Sequence, residues 1–297
     1  MTNWCLYHAL CLDGFASALA VKRRFGNTFQ YRAVNYGYPP PSLGLGDNVL
    51  IVDFSYPQEH IENLRDVTQT VVILDHHKTA QEDLSHYPKV EGRTWQQCLD
   101  DRGDIFVHFD MEKSGAVLTW EFCHPDSLKP LLYKYLQDYD LWRHEYPKTH
   151  LLMNSLRLEG WDFDAWDKIV TDFDEDTLGA FSFHTNRGVA IERYQDQEIE
   201  GTIKYRLRHF EICGFKDVPL VNAHPLIASK LGNVLAQDAP FAVIYWDSAN
   251  SRHFTLRSRK KEEGGEDVSA ICKQFGGGGH YSAAGFKVFR DHPLAKI

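Results

Sequence analysis

Val71-Val72-Ile73-Leu74-Asp75-His76-His77 is the stretch on which the reading of this chain turns. A short run of apolar, mostly β-branched residues reads as a buried strand. This one stops abruptly in a carboxylate and two imidazoles. Such groups are costly to bury without a partner, and a divalent cation is the simplest partner for all three. The pattern recurs upstream. Val49-Leu50-Ile51-Val52 runs into Asp53, and Leu6-Tyr7-His8 leads within a few residues to Asp13-Gly14. Three short strands thus carry His and Asp at their C-terminal ends, the edge of an open α/β sheet at which ligands bind.

Outward from these strands, the first part of the chain alternates strand and helix. Strands are predicted at 4–8, 29–35, 49–53 and 70–74. Helices are predicted at 13–25 and 57–65, the first with small residues (Ala16, Ser17, Ala18, Ala20) suited to packing on a sheet. A Pro/Gly-rich loop fills 36–46. The alternation predicts a parallel sheet with helices on both faces. Residues 80–110 read as a polar loop with one strand at 105–109. From Ser114 the pattern turns helical, in two helices of which the second ends at Asp138-Tyr139-Asp140-Leu141-Trp142, and helical signals persist to about 208. Strands return at 219–222, 241–246 and 253–257, with helices at 226–235 and 268–275. The expected class is α/β: a parallel-sheet N-terminal domain over 1–150, a helical connector over 151–208 and a smaller α/β C-terminal domain over 209–297.

Composition sets outer limits. The chain has 297 residues, 43% apolar and 25% charged, as ordinary soluble globular proteins do. No apolar run approaches the roughly 20 residues of a membrane span, and no secretory signal is visible, so a cytoplasmic protein with no membrane partner is expected. The six cysteines are scattered without a CxxC pair, which predicts free, mostly buried thiols rather than structural zinc. A net charge of −9 argues against tight binding of long nucleic acid, yet leaves room for short or chain-end phosphate substrates. Arg252, Arg257, Arg259, Lys260 and Lys261 predict a local basic patch late in the chain.

Four constellations carry the chemistry: His8 with Asp13, Asp53 alone, Asp75-His76-His77, and Asp138 with Asp140 two residues on. Singly, a strand-end Asp is commonly a helix cap. Together they bring carboxylate oxygens and imidazole nitrogens to one sheet edge, a set suited to Mn²⁺, Mg²⁺ or Fe²⁺. A carboxylate shared by two ions would hold them about 3.5–4 Å apart, the spacing of phosphoryl-transfer sites. The fifth element is the glycine run at 276–279, followed by His280. Successive amides there predict an anion-binding nest, and the small residues after it predict tight packing. Tyr245, Trp246, Phe254 and Tyr281 could stack on a base or simply fill the core.

On these residues the chain resembles the DHH/DHHA1 phosphoesterases. The matching pieces are YHALCLDGFASALA at 7–20, IVDFS at 51–55, LDHHKTA at 74–80, QDYDLW at 137–142 and FGGGGHYSAAGF at 275–286, in the family's order. The resemblance implies a DHH catalytic domain, a DHHA1 substrate-binding domain, and one or two Mn²⁺ ions, with Mg²⁺ as the alternative. It implies that Asp53 bridges two ions. Asp13, His76 and Asp138 complete one metal site, with Asp140 the alternative to Asp138, and His8 belongs to the other. Asp75 and His77 support catalysis, His77 near the phosphate. Arg257, Ser258, Gly277, Gly278, Gly279 and His280 contact substrate, with Asn222 a weaker candidate. The implied reaction is hydrolysis of phosphodiester bonds in short single-stranded oligonucleotides or small nucleotides by metal-activated water, as in exonucleases and nanoRNases. The alternatives are an exopolyphosphatase, a cyclic-dinucleotide phosphodiesterase or, more remotely, an inactive nucleotide-binding module. The chain would act as a monomer or homodimer. One departure stands out. The family's first motif commonly carries two carboxylates, and here only Asp13 remains, with Cys11 and Leu12 in the region of the other. Cys11 would then ligate a softer ion, or the second site would fill only with substrate, or one ion would suffice.

Overall fold

Five parallel strands build the first sheet: β1 (Asn3–His8), β2 (Phe29–Val34), β3 (Asp47–Val52), β4 (Thr68–Asp75) and β5 (Ile105–Phe109), in the order β2-β1-β3-β4-β5. This is a computed structural model, and it describes residues 1–90, 92–101 and 104–297. Side chains alternate across a strand with a period of two, so each buried run feeds two cores. Cys5, Leu50, Val52, Val72, Leu74 and Phe106 face one side. Leu6, Val49, Ile51, Val71, Ile73 and Val107 face the other. Both faces are covered, which is why β3 and β4 read as continuous apolar runs rather than alternating ones.

Helices supply the covers. α1 (Leu12–Phe25) lays Ala18 and Val21 on the first face. α2 (Gln58–Val67) and α3 (Lys78–Leu84) bury Ile61, Leu64 and Leu84 on the second. α4 (Trp95–Asp100) returns to the first face with Trp95 and Cys98. The polar loop expected over 80–110 is therefore two short helices among its described residues. The start of α4 was legible. Thr94 and Gln97 form a capping box, with Gln97 N donating to Thr94 Oγ1 (3.3 Å) and Thr94 N to Gln97 Oε1 (2.8 Å).

α5 (Gly115–Cys123) and α6 (Leu131–Asp140) follow as expected, then α7 (Thr149–Leu156), α8 (Phe163–Glu175) and the long α9 (Thr177–Arg206). The structure departs from the expected connector here. Met153 and Leu156 of α7, with Trp166, Val170 and Phe173 of α8, join Phe15, Leu132 and Leu136 in one helical core. Trp166 is fully buried, donates from Nε1 to Gly160 O (3.0 Å) and meets Phe15 edge to face at 5.2 Å. Burial on this scale makes 149–175 part of the first compact unit. The chain divides into Met1–Glu192 and Arg193–Ile297, with the boundary inside α9 rather than at 150 and 208.

The second unit is the smaller. Its sheet holds β6 (Arg208–Ile212), β7 (Phe215–Asn222), β8 (Ala242–Asp247), β9 (Ser251–Arg257), β10 (Gly278–His280) and β11 (Ala283–Phe289), in the order β10-β11-β9-β8-β7-β6. Only β7 and β8 pair in parallel. α10 (Pro225–Leu235) packs Ile227, Ala228 and Leu231 with Ile199 of α9 on one face, and α11 (Val268–Lys273) packs Val268, Ile271 and Cys272 on the other. Three strands, β6, β10 and β11, escaped the sequence reading. β6 is an exposed, charged edge strand joined to β7 through Cys213-Gly214, whose φ values of 51° and 82° suit a tight hairpin turn. β11 lay under the small residues that follow the glycine run. No helix among the described residues is long and apolar enough to cross a membrane.

Candidate metal centre

From β1 the chain steps to β2 on one side and returns to β3 on the other. That reversal opens a crevice between the C-terminal ends of β1 and β3. His8 closes β1, Asp53 directly follows β3 and Asp75 closes β4. Asp13 projects from the first turn of α1, and Asp140 is the last residue of α6. The architecture thus assembles at one edge what the sequence spreads over many residues.

Asp53 is the hub. Nε2 of His76 donates to Asp53 Oδ1 at 3.0 Å, and also lies 3.8 Å from Asp13 Oδ2 and 3.5 Å from Asp140 Oδ2. On its other side, Asp53 Oδ2 lies 3.5 Å from Nδ1 of His8. Asp53 adopts a left-handed φ of 53°, a region that Asp and Asn tolerate better than other residues with a side chain. Its backbone N donates to Leu74 O (3.0 Å), which pins the residue against β4. Two glycines make room for it. A Cβ on Gly115 would stand 2.5 Å from Asp53 Cβ, and one on Gly14 would stand 2.8 Å from His8 Cβ. Neither glycine carries chemistry, and only close packing shows why side chains are excluded there.

Asp75 and His77 stand beside the hub, Asp75 as a supporting group. Asp75 is fully buried, and both of its oxygens are in use. Oδ1 accepts from His76 N (2.8 Å) and His77 Nδ1 (2.7 Å), and Oδ2 accepts from Ser55 Oγ (2.7 Å). A carboxylate so occupied positions His77 through Nδ1. Ser55, part of IVDFS, has a role the sequence did not reveal.

The electrostatics follow from this geometry. Burial pushes the Asp13 carboxyl well above its ordinary range, and the charges of Asp140 and Asp53 push the same way. Burial likewise raises Asp140, against the pull of His76. Burial alone would raise Asp53, but the hydrogen bond from His76 and the nearby imidazole of His8 hold it well below the usual range. His76 is desolvated, which lowers it, yet Asp53 and the neighbouring carboxylates outweigh that and push it up to about 10. The charge of Asp75 likewise raises His77 against its burial. Three carboxylates around one imidazolium leave excess negative charge in a buried place.

A cation fits that excess. Asp13 Oδ2, Asp53 Oδ2, Asp140 Oδ2 and His8 Nδ1 are buried atoms with no hydrogen-bond partner among the described residues. Such atoms are uncommon in folded proteins unless something else satisfies them. The ligand atoms of Asp13, His76 and Asp140 lie within 4.8 Å of one another, as do those of His8, Cys11 and Asp53. Asp140, and not the expected Asp138, stands in the first group, although Asp138 Oδ2 is likewise buried with no hydrogen-bond partner among the described residues. Asp138 Oδ1 instead accepts from Glu145 N (2.7 Å) beyond the helix end. Residues two apart on a helix point about 200° apart, so only one of the pair can face the crevice.

In the second unit, Arg257 donates to Ser229 Oγ (2.7 Å) and Leu256 O (2.9 Å), and Ser258 Oγ donates to Glu266 O (2.7 Å). Arg252 forms a two-pronged pair with Asp247 (2.8 and 3.0 Å) and lies over the Tyr245 ring. The expected basic patch is largely spent inside its own unit. The glycine run is not a simple nest either. Gly276 N and Gly277 N donate to Lys273 O and Cys272 O, closing the end of α11. Gly278, Gly279 and His280 form β10, paired with β11. Asn222 Nδ2 donates to Tyr245 O (3.2 Å). Tyr245 and Phe254 are core, Trp246 stacks on His253 and the Tyr281 hydroxyl donates to Gly265 O.

A solved structure described as a DHH-domain member of the s1p family of ribosomal proteins superposes over 99% of this chain and 85% of that one, with a TM-score of 0.52 at 12% identity. The chain has a DHH/DHHA1-type fold. A pGpG-specific phosphodiesterase from Vibrio cholerae covers 99% of the chain at 11% identity, but its TM-score of 0.39 is too low to relate the two. In sequence, the chain is 28% identical over 300 residues to the uncharacterized protein R106 of Acanthamoeba polyphaga mimivirus, an alignment spanning 94% of this chain and 66% of the relative. No family model matches.

Proposed function

We propose that this chain is a divalent-metal-dependent phosphodiesterase that hydrolyses short single-stranded oligonucleotides or small nucleotides. The observation that carries the reading is the set of buried oxygens with no hydrogen-bond partner among the described residues: Asp13 Oδ2 and Asp140 Oδ2 beside His76, and Asp53 Oδ2 beside His8. Asp13, Asp53, His76 and Asp140 would hold one cation, Mn²⁺ or Mg²⁺, all through oxygen and nitrogen. A cation bound there supplies acidification of water and neutralisation of phosphoryl charge. The protein's own groups do the rest. Asp53 stays ionised because His76 hydrogen-bonds it and the His8 imidazole lies close by. His77, oriented by Asp75, is the imidazole that would move a proton to or from the substrate. The net charge of −9 favours short substrates, since a long strand would meet repulsion beyond the site. Gly278, Gly279 and His280 are the groups of the second unit proposed to meet substrate. Arg257 and Ser258, being engaged, would shape that surface rather than grip phosphate.

The test is turnover in Mn²⁺ against a 5′-phosphorylated RNA dinucleotide, longer single-stranded RNA and DNA, a cyclic dinucleotide and polyphosphate. Nucleotide products from the shortest oligonucleotides are expected, and Asp53→Ala and His76→Ala should abolish them while the circular dichroism spectrum stays unchanged. Full activity in either variant would overturn the assignment. Cleavage of polyphosphate alone would replace the nucleotide substrate with inorganic phosphate chains.

A further inference from the structure

The two ligand groups at the crevice differ in chemistry. Asp13, His76 and Asp140 present only oxygen and nitrogen, whereas His8, Asp53 and Cys11 add a sulfur. Cys11 is the N-cap of α1, in extended backbone at φ −107° and ψ 131°, yet its side chain makes no capping hydrogen bond. Ser, Thr, Asp or Asn ordinarily fills such a position because its oxygen serves the helix. Facing this sulfur, Asp53 is 1% exposed and its Oδ2 has no hydrogen-bond partner, and neither has Nδ1 of His8, 3.5 Å away. An aspartate with one oxygen on each side, Oδ1 toward His76 and Oδ2 toward His8, can serve two positions at once.

The geometry points to Cys11 as a ligand of a second, thiophilic cation position shared with His8 and Asp53, beside the oxygen-and-nitrogen position at Asp13, His76 and Asp140. This rests on the metal-dependent reading above and deepens it: the centre would hold two unlike ions. A donor set of thiolate, imidazole and carboxylate selects Zn²⁺, Co²⁺ or Fe²⁺ over Mg²⁺, while the other position suits Mn²⁺ or Mg²⁺. Ligation exchanges the S–H bond of Cys11 for a sulfur–metal bond, and the proton passes to water.

The test uses the whole metal-free chain. Co²⁺ is titrated by calorimetry and by near-ultraviolet absorbance, and cysteine alkylation is mapped by mass spectrometry with and without Zn²⁺. A thiolate-to-cobalt charge-transfer band is expected, and its loss in Cys11→Ser. Zn²⁺ should protect Cys11 in the unaltered chain, which needs no variant to fold, while the exposed Cys213 reacts equally fast either way. Cys11→Asp should keep two ions bound and shift the preference at this position from Zn²⁺ toward Mn²⁺. Co²⁺ binding without the band, together with unchanged alkylation of Cys11, would overturn the thiolate position and leave the metal-dependent reading intact. Failure to bind any divalent ion would overturn both.

Discussion

Asp53 sits in a left-handed conformation between two histidines, and its place depends on a residue with no side chain at all. A methyl at position 115 would overlap Asp53 Cβ and crowd Oδ1, which lies 2.8 Å from where it would stand. Gly115→Ala should therefore push Asp53 aside without unfolding the helix. A shift near 1 Å in a reacting group costs on the order of a hundredfold in rate. Turnover is expected to fall by that order with unchanged circular dichroism, and near-normal turnover would show the crevice to be looser than drawn. The QDYDLW pair offers a second contrast. Asp140→Asn removes an oxygen 3.5 Å from His76, whereas Asp138→Asn keeps an acceptor for Glu145 N. Calorimetry with Mn²⁺ should show Asp140→Asn weakening affinity by more than tenfold and Asp138→Asn by less, the scale of an outer-shell change. The reverse order would return the ligand to Asp138.

At the scale of elements, the far edge of the sheet is tied by one carboxylate. Asp47, at the start of β3, accepts from Thr2 N (2.7 Å), Trp4 Nε1 (3.0 Å) and Gly44 N (2.9 Å). Desolvation would raise its carboxyl, but these hydrogen bonds and the N-terminal charge outweigh it and hold it below the ordinary range. A carboxyl that titrates lower folded than unfolded stabilises the fold above its unfolded value of about 3.9, and that contribution fades as the pH falls through the folded value. Asp47→Asn should thus cost about 1–2 kcal/mol at pH 7, and the gap to the parent should narrow below about pH 4. Urea melts at pH 7 and pH 3 read this directly, and an equal gap at both would remove the charge from the explanation. The same scale explains the glycine run. The first two amides close a helix and the rest pair as an edge strand, so the backbone is used for structure before any ligand arrives.

The whole molecule is two units, each with a sheet covered on both faces. The helices over 149–175 belong to the first by burial, and Trp166 is the residue that makes the point. Trp166→Ala should destabilise the chain by about 3–5 kcal/mol, the cost of an emptied aromatic site in a packed core. Equilibrium unfolding followed by near-ultraviolet circular dichroism would measure it, and a loss under about 1 kcal/mol would mark α8 as a connector after all. Charge is also settled at this scale. The chain carries −9 overall, and its late arginines pair with Asp247, Ser229 and backbone carbonyls inside the second unit. The arginines of that basic stretch are engaged within the unit, while Lys260 and Lys261 stay exposed.

By itself the sequence determined the α/β class, the parallel sheet and the edge at which His8, Asp13, Asp53 and His76 gather. These are local facts: β-branched runs make strands, small residues let a helix lie on them, and a polar group ending a buried run stands at the strand's tip. What only the tertiary structure decided is non-local. Asp140 rather than Asp138 faces His76 because of the rotational phase at the end of one helix against a strand far away in sequence. Gly115 matters because its helix touches Asp53, and Asp75 is a positioning residue because Ser55 and His77 occupy its oxygens. Cys11 meets His8 and Asp53 only when α1 is docked on the sheet. Periodicity announces which elements form. Which atoms converge depends on how those elements pack, and that is settled by burial summed over the whole core.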